Sequence, residues 1–467
     1  MMSRLFCNEC INKQIEIDHL RKENESLRNE NYKLKKRLKE GYFSSSTPSS
    51  KKPAKETATL DKVKRRGGAK KGHKGHGRKG FDVKEADEVL DVKGPSTCHK
   101  CGRPLQNVGT KFRSTIDIQP VIVRKIVYRL YEKRCCHCNE TITTTVPELS
   151  PKCLYTNRAL SYLAEEYYIH GVPLNRIATR YGLSVGTLHQ AMQRIAATLE
   201  KAYDKLVKDY RQASVKHADE TTWRIDGKNG YAWLFATRDT TIMTLRNTRS
   251  GKVAQEILGT SPLPGVLTVD RYAGYNKSPC KMQNCYAHLL RELSDINDEF
   301  PNQPEVTSFH NAVAPLLKQA MELRSLPIAD KDFYRRAKNC KASIISAMSI
   351  QANHLAIKSF QQIFVENSHR LYHWADDRAV PADNNFAERS LRPLVIARKI
   401  SFGSQSENGA LTRSRIMSVL LTLNNRFPNQ SLQRLSSFLN HYAANPSIDV
   451  YKSLFFESSS HPLPPPP

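Results

Sequence analysis

The stretch Gly265 to Tyr275, GVLTVDRYAGY, constrains the fold more than any other in the chain. Val266-Leu267-Thr268-Val269 is a β-rich apolar run, and it predicts a short strand buried on both faces, of the kind found in parallel sheets covered by helices. The run stops at an aspartate. In open α/β sheets ligands and catalytic groups gather at the carboxyl ends of strands, so Asp270 stands where chemistry is expected. An aspartate there can equally cap a helix or make a turn. The rest of the chain has to separate these roles.

At 467 residues the chain is too long for one compact core, and roughly three domains are expected. With 72 Lys+Arg against 45 Asp+Glu, the net charge of +27 favours a polyanionic partner, nucleic acid above all, or an acidic membrane surface. No apolar run is long enough to span a bilayer, and MMSRLFCNEC lacks the apolar core of a signal peptide. The expected location is the cytoplasm, beside the nucleoid. Eleven cysteines there argue for metal ligands or free thiols rather than disulfides.

Within the segment 1–40, residues 11 to about 40 carry a heptad pattern, with Leu20, Leu27 and Leu34 at one core position and Ile17, Asn24, Asn31 and Leu38 at the other. Asparagine at that second position favours a two-stranded coiled coil, so a self-associating zipper and hence a homodimer or larger assembly are expected; a solvated single helix is the alternative. Cys7 and Cys10 form a pair with no second pair nearby. Residues 41–85 are rich in Ser, Lys, Pro and Gly, and KRRGGAKKGHKGHGRKG (64–80) cannot bury enough apolar surface to fold alone. This segment, with Lys70, Lys71 and Lys74, is a linker or an arm that lies along a phosphate backbone; twelve Lys/Arg between 51 and 80, opposed only by Glu56 and Asp61, favour the arm.

Residues 86–150 hold two CxxC pairs separated by strand-like sequence, Thr115 to Ile118 and Val121 to Tyr131. Cys98, Cys101, Cys135 and Cys138 are the expected ligands of a structural Zn²⁺ on a β-ribbon, with Cys136 or His137 as substitutes; four thiolates leave no open position for catalysis. Residues 151–212 read as helical. Within them Gly182 breaks one helix, Ser184 caps the next, and Thr187, His189 and Gln190 face outward, which is helix-turn-helix grammar. The second helix of such a motif enters the major groove; an ordinary helical hairpin is the alternative.

From Ser214 the pattern becomes β. SVKHAD (214–219) predicts a strand ending in Asp219, Tyr231–Thr237 and Thr241–Thr248 a hairpin, 250–259 a helix, 265–270 the strand described first, and 283–286 a last short strand. Three strands, a helix, a parallel strand and a further strand make a ribonuclease-H-like α/β sheet. There the first and fourth strand ends are neighbours, so Asp219 and Asp270 face one another. Carboxylates that close repel unless a cation neutralises them, and oxygen ligation suits Mg²⁺ or Mn²⁺. A pair of such ions supports phosphodiester cleavage. Residues 295–380 read as a helical insertion. After it, Asp383 can cap a helix that carries Asn384, Asn385 and Glu388, with Arg392 one turn beyond Glu388 and Pro393 ending the helix. A carboxylate and an arginine so spaced also make a plain surface ion pair.

HADET (217–221), VDRYAGY (269–275), CYAHLLREL (285–293), NNFAERSLRPL (384–394) and ARKISFGS (397–404) resemble the transposases of the IS sixty-six family of bacterial insertion sequences. The resemblance covers nearly the whole chain. It implies a DDE transposase with a catalytic domain over 213–405, a C-terminal helical segment with a Pro-rich tail over 406–467, and the triad Asp219, Asp270 and Glu388. It also implies binding of terminal inverted repeats and target DNA, nicking of the element end and attack of the freed 3′-OH on the target, with accessory proteins of the element as further partners. Arg389, Arg392 and Lys399 are then expected on phosphates. Arg271 stands where glycine is expected in that stretch, and a cation there contacts a phosphate or disturbs the metal site; His288 and Arg291 support the site, touch DNA or simply pack. A non-catalytic DNA-binding regulator or relic is the rival, although a pure binder has no reason to keep three carboxylates.

Overall fold

The computed structural model describes residues 8–42, short stretches between 83 and 150, and 153–456 without a break. The chain divides into two compact units, Lys55–Arg129 and the remainder. Helix α1 (Asn8–Tyr42) coincides with the heptad segment, and its Leu20, Leu27 and Leu34 are exposed. Strands β1 (Glu132–Arg134) and β2 (Thr141–Thr143) pair antiparallel. Residues 123–130, which the sequence predicts to be strand, carry no regular structure, so the ribbon is shorter and later than expected. Cys98, Cys135, Cys138, Lys70, Lys71 and Lys74 lie outside the described residues; Cys101 is exposed.

Helices α2 (Asn157–Tyr168), α3 (Leu174–Tyr181), α4 (Val185–Thr198) and α5 (Glu200–Gln212) follow. Gly182 ends α3 in the left-handed region at φ +65°, where a Cβ would be strained, and the Ser184 hydroxyl accepts the Thr187 N–H to cap α4. These local signals fix the turn. Leu188, Ala191, Met192 and Ile195 are buried, while His189 and Gln190 are exposed and Thr187 is half-buried.

The sheet comprises β3 (Val215–Ile225), β4 (Lys228–Ala236), β5 (Thr241–Arg246), β6 (Val266–Val269) and β7 (Lys281–Asn284), with α6 (Lys252–Leu258) crossing between β5 and β6. Its order is β5-β4-β3-β6-β7; β4 is antiparallel to both β3 and β5, and β6 and β7 run parallel to β3. Strand β3 does not end at Asp219 as expected. It continues six residues further because β4 pairs with it as far as Ile225 and Lys228, through an Asp226-Gly227 turn with both φ values positive (52° and 70°). On its other side β3 pairs with β6 only through His217. Asp219 therefore lies where the parallel neighbour stops.

Helices α7 (Tyr286–Glu299), α8 (Pro304–Leu323), α9 (Asp330–Met348), α10 (Leu355–Glu366) and α11 (His373–Asp376) form the helical insertion around its own core, which includes Leu289, Leu317, Phe333, Phe360 and Trp374. Helices α12 (Asn385–Ser390) and α13 (Arg392–Ser401) then return to the sheet. Pro393 sits in the first turn of α13 rather than inside one long helix, so α12 stops before Arg392.

Helix α14 (Glu407–Arg426), followed by α15 (Ser431–Ala444) and α16 (Val450–Phe455), covers the β5 edge. The Ser414, Ser418 and Thr422 hydroxyls accept the Leu245, Met243 and Thr241 N–H groups at 3.2, 2.8 and 3.0 Å. A stripe spaced by four along one helix face thus satisfies the outward donors of an edge strand. Helices α2–α5, the sheet and α14 share one hydrophobic core. Ser418→Ala should leave the Met243 N–H buried and unpaired at a cost of about 1–3 kcal/mol. Calorimetry should show a lowered melting midpoint, with Ser418→Thr closer to wild type; an unchanged midpoint in the alanine variant would contradict this edge pairing.

Candidate active site

Asp219 and Asp270 are both buried, each 7% exposed. Strand β3 carries Asp219, and Asp270 is the first residue after β6; continuing the register from His217 and Thr268 by two places sets the two side by side. Each has one backbone donor: the Asp219 carboxylate accepts the Glu220 N–H at 2.8 Å, and that of Asp270 accepts the Tyr272 N–H at 2.9 Å. Burial, then Glu220 and Asp270 beside it, hold the Asp219 carboxyl well above the usual carboxylate range. Burial and Glu220 push Asp270 up to about 8, against the opposing pull of Arg249 and Arg271. The pair is short of positive charge.

Glu220, fully buried, is not short of it. The Arg249 guanidinium donates to it at 3.0 and 2.5 Å, and the Tyr275 hydroxyl donates at 2.6 Å. Arg249 lies over the Tyr272 ring at 4.1 Å, and Tyr272 bonds back to the Arg249 carbonyl. This cluster forms a stiff floor beneath the acid pair. A Cβ on Gly251 would meet the Gly274 carbonyl oxygen at 2.5 Å, so the loops bearing Arg249 and Tyr275 approach as closely as backbones can.

Asn384 ties α12 to the sheet. Its amide donates to the Ala218 carbonyl at 2.8 Å, and its oxygen lies 3.0 Å from His217 Nδ1. That oxygen can only accept, so the His217 ring carries its proton on Nδ1; burial pulls its pKa down to about 4 and keeps it neutral. The Asp383 carboxylate accepts the Asn385 N–H at 2.9 Å, while Asn384 occupies the cap position. Glu388 is thereby brought near enough to Asp219 to add to its repulsion. Its partner is not Arg392, as the spacing suggested, but Arg291 of α7 at 2.8 Å, with His288 4.0 Å away. The break between α12 and α13 removes Arg392 from that face. Among the described residues no group of three Asp, Glu, His or Cys side chains is close enough to share a metal ion.

Arg271 is paired with Glu292 of α7. Arg389, Arg392 and Lys399 are exposed on α12 and α13. The sequence reading missed Asn384 and His217 as a strut, and Glu220, Arg249 and Tyr275 as the floor. All but Arg249 lie inside the motifs quoted above, and their spacing alone gives no sign of the pairing.

A buried acid pair on a mixed sheet, with exposed arginines and the α3–α4 helical pair built on the same core, defines the site of this α/β protein. The chain matches the Transposase IS66 family over residues 152–412 and belongs to that family, which makes DNA its partner. It is similar to three uncharacterized proteins of Sinorhizobium fredii (strain NBRC 101917 / NGR234). To y4qI it is 26% identical over 387 residues, 74% of this chain and 70% of that protein. To y4jD it is 23% identical over 365 residues (69% and 70%), and to y4hP 22% over 419 residues (79% and 75%). No helix among the described residues is long and apolar enough to cross a membrane.

Folding raises the Asp219 and Asp270 pKa values, so the native state binds more protons than the unfolded chain across the interval from about 4 to 8. Without a cation, the corresponding stability is complete below the unfolded carboxylate pKa and is lost as pH rises through about 8. In protein treated with a chelator, Asp270→Asn should melt about 3 °C or more above wild type at pH 8.5 and close to it at pH 5. Equal melting curves for the two proteins at both pH values would contradict the burial of this charge.

Proposed function

We propose that the chain is a DDE transposase that binds insertion-sequence ends and carries out metal-dependent DNA cleavage and strand transfer on a ribonuclease-H-like core. The observation that carries this reading is the buried Asp219–Asp270 pair beside β6 of a β5-β4-β3-β6-β7 sheet, in a member of a transposase family. The donor set fits Mg²⁺ or Mn²⁺: oxygen ligands only, on acids whose burial and mutual repulsion a cation would relieve. Asp219, Asp270 and Glu388 would hold the ions, which supply charge neutralisation and activation of the attacking oxygen in phosphodiester chemistry.

The chain's own residues do the positioning. The Arg249–Glu220–Tyr275 floor fixes the strand that carries Asp219, and Asn384 fixes the helix that carries Glu388. Glu388 exchanges Arg291 for the shared site when substrate arrives, and Arg291 then faces a DNA phosphate. Arg389, Arg392 and Lys399, exposed on α12 and α13, would take further phosphates, as would Arg271 after release from Glu292. Thr187, His189 and Gln190 of α4 read the element end, and the basic arm with Lys70, Lys71 and Lys74 follows its backbone. The exposed leucines of α1 pair two chains, and Cys98, Cys101, Cys135 and Cys138 hold a structural Zn²⁺.

Labelled element ends, target plasmid and Mg²⁺ test the reading. Wild type should join end to target. Asp270→Asn and Glu388→Gln should each lose at least about 1,000-fold in joining, some 4 kcal/mol of barrier, while keeping end binding. Joining retained in either variant would refute the triad, and end binding without joining by wild type would favour a DNA-binding regulator.

A further inference from the structure

The acid pair opens onto a pocket that the triad leaves unused. It has a volume of about 350 Å³ and lies where the carboxyl ends of β6 and β7 meet the segment after α10. Asp270 forms part of its wall, so the pocket and the acid pair share one residue. Arg370 reaches in from the insertion. Its Nη1 donates to Asn276 Oδ1 at 2.5 Å and its Nε to His369 Nε2 at 3.0 Å. No carboxylate lies within ion-pair distance of it among the described residues, and its Nη2 has no partner there.

A half-buried guanidinium held by neutral acceptors keeps its full charge for an anion. Burial has already lowered its pKa, so an anion placed there relieves the cost of keeping the cation. Arg271 is paired with Glu292 and Glu366 is exposed at the same pocket, so Arg370 is the cation there that meets an anion without first breaking an ion pair. The volume falls at the small end of ligand sites, about 300–1,000 Å³, which admits one nucleotide and excludes a duplex.

We infer that this pocket holds the single nucleotide adjoining the reacting phosphate, with Arg370 bonded to that nucleotide's phosphodiester and Asn276 orienting the guanidinium. The inference rests on the reading of Asp219 and Asp270 as acting on DNA. It adds a subsite shared between the sheet and the helical insertion, so the insertion helps to set the path of the strand.

Full-length protein is titrated with element-end duplexes carrying one neutral methylphosphonate at a time near the cleaved bond. Wild type should lose about tenfold in affinity when the phosphate adjoining the reacting one is neutralised. Arg370→Ala should start about tenfold weaker, show a salt slope smaller by about 1, and be indifferent to that same substitution while keeping its sensitivity elsewhere. Asn276→Asp, which sets a carboxylate against the guanidinium without removing it, should behave alike, and Arg370→Lys should recover part of the loss. Wild-type affinity, salt slope and interference pattern in Arg370→Ala or Asn276→Asp would overturn the subsite and leave the transposase reading intact. Failure of wild type to bind any end would overturn both. Inorganic phosphate at matched ionic strength should compete no better than chloride; selective loss of the Arg370-dependent contact would assign the pocket to a free anion and refute the nucleotide.

Discussion

The arrangement depends on two carboxylates held side by side and largely withdrawn from solvent. Asp219 and Asp270 each keep a single backbone donor, and neither has an arginine bonded to it. A buried charge without a partner is among the costliest things a fold can contain. Here the neighbouring Glu220 takes Arg249 and Tyr275, Arg271 goes to Glu292, and Arg291 goes to Glu388. Arg249, Arg271 and Arg291 are each bonded to another acid. The acid pair is left to be satisfied by something that comes from solution.

What tolerates this burden is the scaffold behind it. Strand β3 is paired with β4 from His217 to Ile225, and the β5 edge is closed by hydroxyls of α14 rather than by another strand. Buried Arg413 of α14 packs against the Tyr167, Tyr168 and Trp223 rings at 4.8, 5.1 and 5.4 Å, joining α2 to β3. Helices α2–α5 and the sheet thus share one core, with no linker between them.

Local features were legible in the sequence. Gly182 and Ser184 punctuate α3 and α4 as their chemistry requires, and the apolar run before Asp270 is β6. The succession of three strands, a helix and two further strands was legible from the pattern of the residues. Partnerships across the chain were not legible. SVKHAD looked complete at Asp219 because polar Glu220, Thr221 and Thr222 follow; Glu220 is buried only because Arg249 meets it from 29 residues away. The Asp226-Gly227 pair is a hairpin turn signal that fits the longer strand. Glu388 invited pairing with Arg392, whereas Arg291, 97 residues away in sequence, holds it. The i,i+4 rule assumes an unbroken helix, and Pro393 sits just beyond the break. The β-rich run at 123–130 shows that propensity alone does not make a strand.

The most direct test is whether a cation goes to the acid pair. Melting of the chelator-treated protein at pH 8 should be followed as Mg²⁺ is added, for wild type and for Asp219→Asn, with Ca²⁺ and Na⁺ as controls for ionic strength. Wild type should rise by several degrees in a saturable manner, as binding to the native state alone requires, and the variant should rise far less. An equal rise in both proteins, or none in wild type, would contradict the claim that Asp219 and Asp270 are held together for a divalent cation.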